Sequence, residues 1–177
     1  MNKKQKRLFK LILSAILCAI SIVLSRFLSL NVWNMSIGIS FLPIMLCALV
    51  CGPLWSGIAG ALADFIGALL FPFGTYFPGF TAVAFLSGIF FGLVGVVNNT
   101  FKKRGIVIAL TATTLLAKEL LCSLFLNSLW ISILYGTAYK LVLASRIPVS
   151  AVMFGVETVS ALIICNFILP NIRKELK

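Results

Sequence analysis

The chain has 177 residues, 61% of them hydrophobic, with fifteen Lys and Arg against four Asp and Glu. Soluble domains are about 45–50% apolar, so this composition excludes a soluble enzyme domain and describes an integral membrane protein. A net charge of +11 would suit nucleic acid, but the basic residues cluster at segment ends, where they orient membrane helices, and no nucleic-acid partner is expected.

Six apolar segments follow in chain order, at about residues 8–30, 37–51, 53–71, 79–98, 105–130 and 147–170. They predict an all-α membrane protein with six transmembrane helices in one domain. The basic stretch Met1–Lys10 precedes the first segment as it would in a leader peptide. No small-x-small cleavage site ends a short apolar region, and residues 8–30 are long enough to span, so a first membrane helix is expected. The second segment is short, about 22 Å at 1.5 Å per residue. Gly52-Pro53 separates it from the third; Gly suits a helix end and Pro a helix start, which predicts a tight helical hairpin.

With the N-terminus inside, eleven basic residues fall on the cytoplasmic side: Lys3, Lys4, Lys6, Arg7, Lys10, Lys102, Lys103, Arg104, Arg173, Lys174 and Lys177. Three fall outside, Arg26, Lys140 and Arg146, while Lys118 lies within the fifth segment. The bias places both termini in the cytoplasm. The outer loops are then about 31–36, 72–78 and 131–146, and they carry Trp33, Phe73, Tyr76, Phe77, Trp130, Tyr135 and Tyr139. An interfacial aromatic belt accounts for such residues in general; their concentration on one side points to a binding surface.

Four ionisable residues sit within spans: Asp64, Lys118, Glu119 and Glu157. Such groups are costly in a bilayer and mark functional sites or buried ion networks. Counting from the expected outer ends puts Asp64, Lys118 and Glu157 roughly 10–18 Å deep, at comparable levels. Lys118 and Glu119 are adjacent and point about 100° apart, so each is expected to pair across helices rather than with the other. Asp64 lies in the block GIAGALADFIGALLFPFGTYFPGF (57–80), which passes from helix into an aromatic, Pro-punctuated loop. Arg26 and Arg146 can fork a carboxylate or snorkel to the interface. Asn127 and Trp130, one turn apart, offer an amide and a ring.

Ala15 and Ala19 form A-x-x-x-A on the first helix, a spacing that lets another helix approach closely. Ala84, Gly88 and Gly92 make a similar stripe that reads as internal packing. The five cysteines lie in apolar runs without C-x-x-C and read as small buried hydrophobes. There is no histidine, the commonest metal ligand, and no phosphate-binding G-x-x-x-x-G-K-[ST]. Neither a metal, a cofactor nor catalysis is expected.

LSRFLSL (24–30), ISFLPIMLCALVCGPLWSGIAGALADFIGALLFP (39–72), YFPGFTAVAFLSGIFFG (76–92) and LNSLWISILYG (126–136) resemble the folate-specific substrate-binding (S) component of energy-coupling-factor (ECF) vitamin transporters. The likeness covers about residues 11–170. It implies a bacterial membrane protein that binds folate from outside and associates with a transmembrane coupling protein and two cytoplasmic ATPases. In that family the A-x-x-x-A contacts the coupling protein, which here implicates Ala15 and Ala19, and the outer loops gate the vitamin.

Folate then assigns roles. Asp64 or Asn127 would take the N–H edge of the flat pterin. Trp130, Tyr76, Phe77 and Phe80 would stack on it or enclose it. Arg26 and Arg146 would hold the anionic tail, with Tyr135 and Lys118 as further donors. An S component for another vitamin or a modified-base precursor, an intramembrane enzyme, and a structural subunit without a ligand are the other readings.

Overall fold

The computed structural model describes residues 3–32, 35–72, 75–101 and 103–169. Trp33, Phe73, Lys102, Arg173, Lys174 and Lys177 lie outside the described residues. The elements run α1 (Lys3–Phe27), β1 (Ser29–Val32), β2 (Met35–Gly38), α2 (Phe41–Cys51), α3 (Pro53–Leu70) and α4 (Pro78–Thr100). After them come α5 (Arg104–Tyr135) and α6 (Tyr139–Phe167). Among the described residues five of the six helices are long and apolar enough to cross a membrane; α2 is the short exception.

Local chemistry sets these boundaries. Gly52 closes α2 with φ 101°, a left-handed conformation that costs glycine little, and its N–H bonds to Ala48 O at 3.0 Å. Pro53 opens α3 and Pro78 opens α4, each where a helix has no use for an N–H. The expected α2–α3 hairpin is present.

Two expectations change. Residues 131–146 do not form a long loop: α5 continues to Tyr135, Gly136 turns it with φ 64°, and α6 starts at Tyr139. Lys140, Ser145, Arg146 and Pro148 read as loop and helix start, yet Val142 faces the bundle and is buried, so tertiary packing carries the helix through them. Pro148 sits inside α6, where it removes one backbone hydrogen bond. The second change is at 29–38, an antiparallel ribbon pairing Ser29 with Gly38 and Val32 with Met35. A Cβ on Gly38 would stand 2.7 Å from Ser29 Cβ, which keeps that corner glycine.

Helices α3 and α4 form the closest pair. A Cβ on Gly60 would stand 2.8 Å from Ala84 O, one on Gly88 would overlap Ser56 O, and one on Gly92 would overlap Pro53 Cα. The small-residue stripe on α4 is therefore internal packing, as expected, and Ser56 Oγ donates to Gly88 O across it at 2.8 Å. Helix α2 lies inside the bundle, with Met45 and Cys47 inaccessible. All five cysteines are buried free thiols. Lys10 Nζ donates to Cys51 O at 2.8 Å, tying α1 to the end of α2. The outer flank of α1 stays open, exposing Leu8, Leu11, Ile12, Ile16, Ile20 and Val23 as a lipid-facing helix does.

Candidate functional site

One cavity of about 660 Å³ enters the bundle from the end carrying Tyr76 and Tyr135. Exposed Pro72, Thr75, Tyr76 and Tyr135 line its mouth. Lys118, Glu119 and Glu157 line its floor. Beyond the floor Leu115 and Val94 are wholly buried and close the bundle. Of the expected residues, Arg26, Asp64, Tyr76, Phe77, Phe80, Lys118, Asn127, Tyr135 and Arg146 all face this cavity.

The upper wall is a hydrogen-bonded clasp between α3 and α4. Thr81 Oγ1 donates to Asp64 Oδ2 at 2.7 Å, and Tyr76 OH lies 3.1 Å from the same Thr81 oxygen. Arg26 is the cation nearest Asp64 and interacts with it electrostatically. It reaches the α3 wall because Gly67 has no side chain: a Cβ there would stand 3.0 Å from Arg26 Nε. Phe65 meets the Tyr76 ring edge-on at 5.7 Å. The Asp64 carboxylate thus braces the loop and Arg26; it does not pair with Lys118.

Phe77 forms the aromatic lip, 6.1 Å from Phe80 and 5.4 Å from Trp130 between ring centroids. Trp130 stands behind Phe77 and is not part of the cavity wall. It packs against bare Gly79, where a Cβ would lie 2.8 Å from Trp130 Cδ2.

The floor is an ion triad. Lys118 Nζ donates to Glu119 Oε1 at 2.6 Å and to Glu157 Oε1 and Oε2 at 2.6 and 2.7 Å. All three groups are buried, with exposures of 6%, 4% and 2%, so this is an interior network and no surface pair. Pairing across helices holds for Glu157. The expectation that Lys118 would avoid its neighbour fails, because a four-carbon stem swings through the 100° between adjacent helix positions. The three ammonium hydrogens are thereby spent on carboxylates, which leaves Lys118 no donor for a ligand. The Phe91 ring lies beneath, 5.2 Å from Nζ.

These charges lie deeper than counting from the expected loops placed them. Lys118 is seventeen residues from the mouth end of α5 and Glu157 eighteen from that of α6, about 26 Å along each helix, while Asp64 is six residues from the end of α3, about 9 Å. The lengthened helices are the reason.

Between floor and mouth, α5 widens into a π-helix over Glu119–Leu126. Its last wide turn is closed by the Asn127 N–H bonding to Cys122 O. The next carbonyl, that of Ser123, accepts Arg146 Nε at 3.2 Å, and Ser123 Oγ lies 2.8 Å from Ser150 Oγ. The widened turn thus joins α5 to α6 and fixes the Arg146 guanidinium. Ser123, Ser150 and Thr81 had no sequence signal, being isolated hydroxyls in apolar runs; π geometry is a common mark of functional sites. Ala15 and Ala19 lie on the exposed side of α1, away from the cavity.

A helical membrane bundle sealed at one end, with a polar-floored cavity open at the other, defines a subunit that captures a substrate. The chain belongs to the family of ECF transporter substrate-specific components, whose profile matches residues 9–165. It is a multi-pass membrane protein and a non-catalytic transporter subunit. Its relatives include proteins named Folate transporter FolT. That of Clostridium novyi (strain NT) is 33% identical over 87% of this chain and 86% of its own length. That of Leuconostoc mesenteroides subsp. mesenteroides is 27% identical over 93% and 89%. A solved structure described as the crystal structure of FolT bound with folic acid superposes with a TM-score of 0.75, at 30% identity, covering 88% of this chain and 92% of that one.

Proposed function

We propose that this chain binds folate from outside the cell and delivers it through a transmembrane coupling protein driven by two cytoplasmic ATPases. Both termini are then cytoplasmic, the whole chain is one six-helix domain, and the cavity mouth faces outward. The observation that carries the reading is the cavity's polarity: Arg26 and Arg146 outnumber Asp64 above, and Glu119 and Glu157 outnumber Lys118 below. Folate has the matching polarity, with an anionic glutamate tail and a neutral pterin whose edge donates hydrogen bonds. A volume of 660 Å³ lies within the range of sites for ligands of this size. The folate-named relatives support the same choice.

In this reading Tyr76, Phe77 and Phe80 enclose the rings and Trp130 supports Phe77 from behind. Asp64 holds the lip and Arg26 in place, and Asn127 lines the wall near the pterin. Arg26, Arg146 and Tyr135 receive the tail. A binding titration of the purified chain should give saturable folate binding, with biotin and riboflavin as controls; binding of a control vitamin in place of folate would overturn the assignment.

The exposed Ala15–Ala19 face is proposed as the seat of the coupling protein. Ala15→Trp should leave folate binding by the isolated chain unchanged and abolish co-purification with the coupling protein. Retained assembly would remove that contact.

A further inference from the structure

We infer that Gly67 is a positioning residue for Arg26: the missing side chain on α3 makes the seat that holds the guanidinium at the cavity rim, and through it the chain selects ligands with an anionic end. The inference rests on the folate reading above. Three glycines lie within α3, and their neighbours differ. A Cβ on Gly57 would meet the Phe85 and Ile89 side chains and one on Gly60 would meet Ala84 O, all on α4. On Gly67 the three nearest atoms would be Nε, Nη2 and Cζ of Arg26, at 3.0, 3.1 and 3.5 Å. The guanidinium thus lies directly on the bare turn of α3. Glycine is a poor helix former beside alanine, and here the space it leaves is filled by a cation.

The surroundings keep the cation on that seat. Asp64, one turn before Gly67 on α3, attracts it. The Phe27 ring, next to Arg26 in the chain, meets Phe71 edge-on at 5.5 Å and docks the end of α1 on the end of α3. Arg26 Nε is buried, whereas the residue as a whole keeps partial exposure and lines the cavity. Gly67 is buried and does not line the cavity, so a change there reaches a ligand through Arg26. An ordinary contact is about 3.5–4.0 Å, so a methyl at position 67 would push the guanidinium away by roughly 0.5–1 Å. Charge-assisted hydrogen bonds to a carboxylate span only about 2.7–2.9 Å, so that displacement breaks the fit to an anionic group. An arginine head can yield where a backbone cannot, so the helix itself should tolerate Gly67→Ala.

The test is a double-mutant cycle on the full chain in detergent, with wild type, Gly67→Ala, Arg26→Ala and the double variant. The ligands are folate and its bis-amide, which has the same size and no charge on the tail. Gly67→Ala should fold with an unchanged or higher melting temperature. It should weaken folate by about 10-fold, the scale of one hydrogen bond to a charged group, and leave the bis-amide unchanged. Arg26→Ala should lose at least as much folate affinity, and adding Gly67→Ala to it should change neither ligand. Equal weakening of both ligands by Gly67→Ala, or a full folate loss added on top of Arg26→Ala, would overturn the inference. A Gly67→Ala chain that does not fold would overturn it too, since the methyl would then be meeting packing that cannot yield. Failure of wild type to bind folate sinks the folate reading and this inference together; normal folate binding with Gly67→Ala matching wild type sinks this inference alone.

Discussion

The α3–α4 pair and the α5–α6 pair are both antiparallel membrane hairpins, and they hold together in opposite ways. In α3–α4 the backbones meet through Gly60, Gly88 and Gly92, with two hydroxyls, those of Ser56 and Thr81, bonding across. In α5–α6 the helices meet through Lys118–Glu157, Ser123–Ser150 and Arg146–Ser123, and neither helix keeps regular α geometry throughout. Lipid supplies no hydrophobic drive between helices, so each pair must find close packing or polar bonds. The first pair meets mainly by shape and the second mainly by polar and charged bonds, and both border the cavity. Close backbone packing and buried charge are thus concentrated in different halves of one small bundle.

The largest way to break this contrast is to remove the cation. Lys118→Met would leave Glu119 and Glu157 buried without their partner, and should destabilise the protein by about 3–5 kcal/mol in thermal unfolding. A loss under about 1 kcal/mol would mean the triad is solvated. Next, Gly88→Val would drive a branched side chain into Ser56 O and should cost about 1–3 kcal/mol, with unchanged stability contradicting the tight α3–α4 contact. The smallest effect has the opposite sign. Gly155, in α6, has nothing within 4 Å of an added Cβ, so Gly155→Ala should stabilise by about 0.5–1 kcal/mol. A decrease in melting temperature would reveal close packing on the charged side as well.

The two halves also differ in how well they can be read from sequence. Gly52-Pro53 and the α4 stripe carry their geometry in residue type, because only glycine allows such approach and proline marks a start. The buried ionisable residues were equally plain, standing alone in apolar runs. Less was legible in α5 and α6, where Pro148 and polar Lys140–Arg146 imitate a loop and only the burial of Val142 shows otherwise. The β1–β2 ribbon is too short to announce a period. That Lys118 bonds its own neighbour depends on side-chain reach, and the clasp of Thr81 on Asp64 depends on which helices meet. Neither is written in spacing.

Helix α2 has eleven residues, about 16 Å of rise, in a bilayer core of about 30 Å. Its first turn, at Phe41 and Ile44, lines the cavity. A full-length helix there would fill another 14 Å with a cylinder about 10 Å wide, displacing about 1,000 Å³, the same order as the 660 Å³ cavity. The binding chamber is in this sense a truncated helix, and its capacity is set in whole turns. Each turn added to α2 at Ser40 would shut the chamber by about 400 Å³, so the length of one buried segment governs how large a guest the bundle can take.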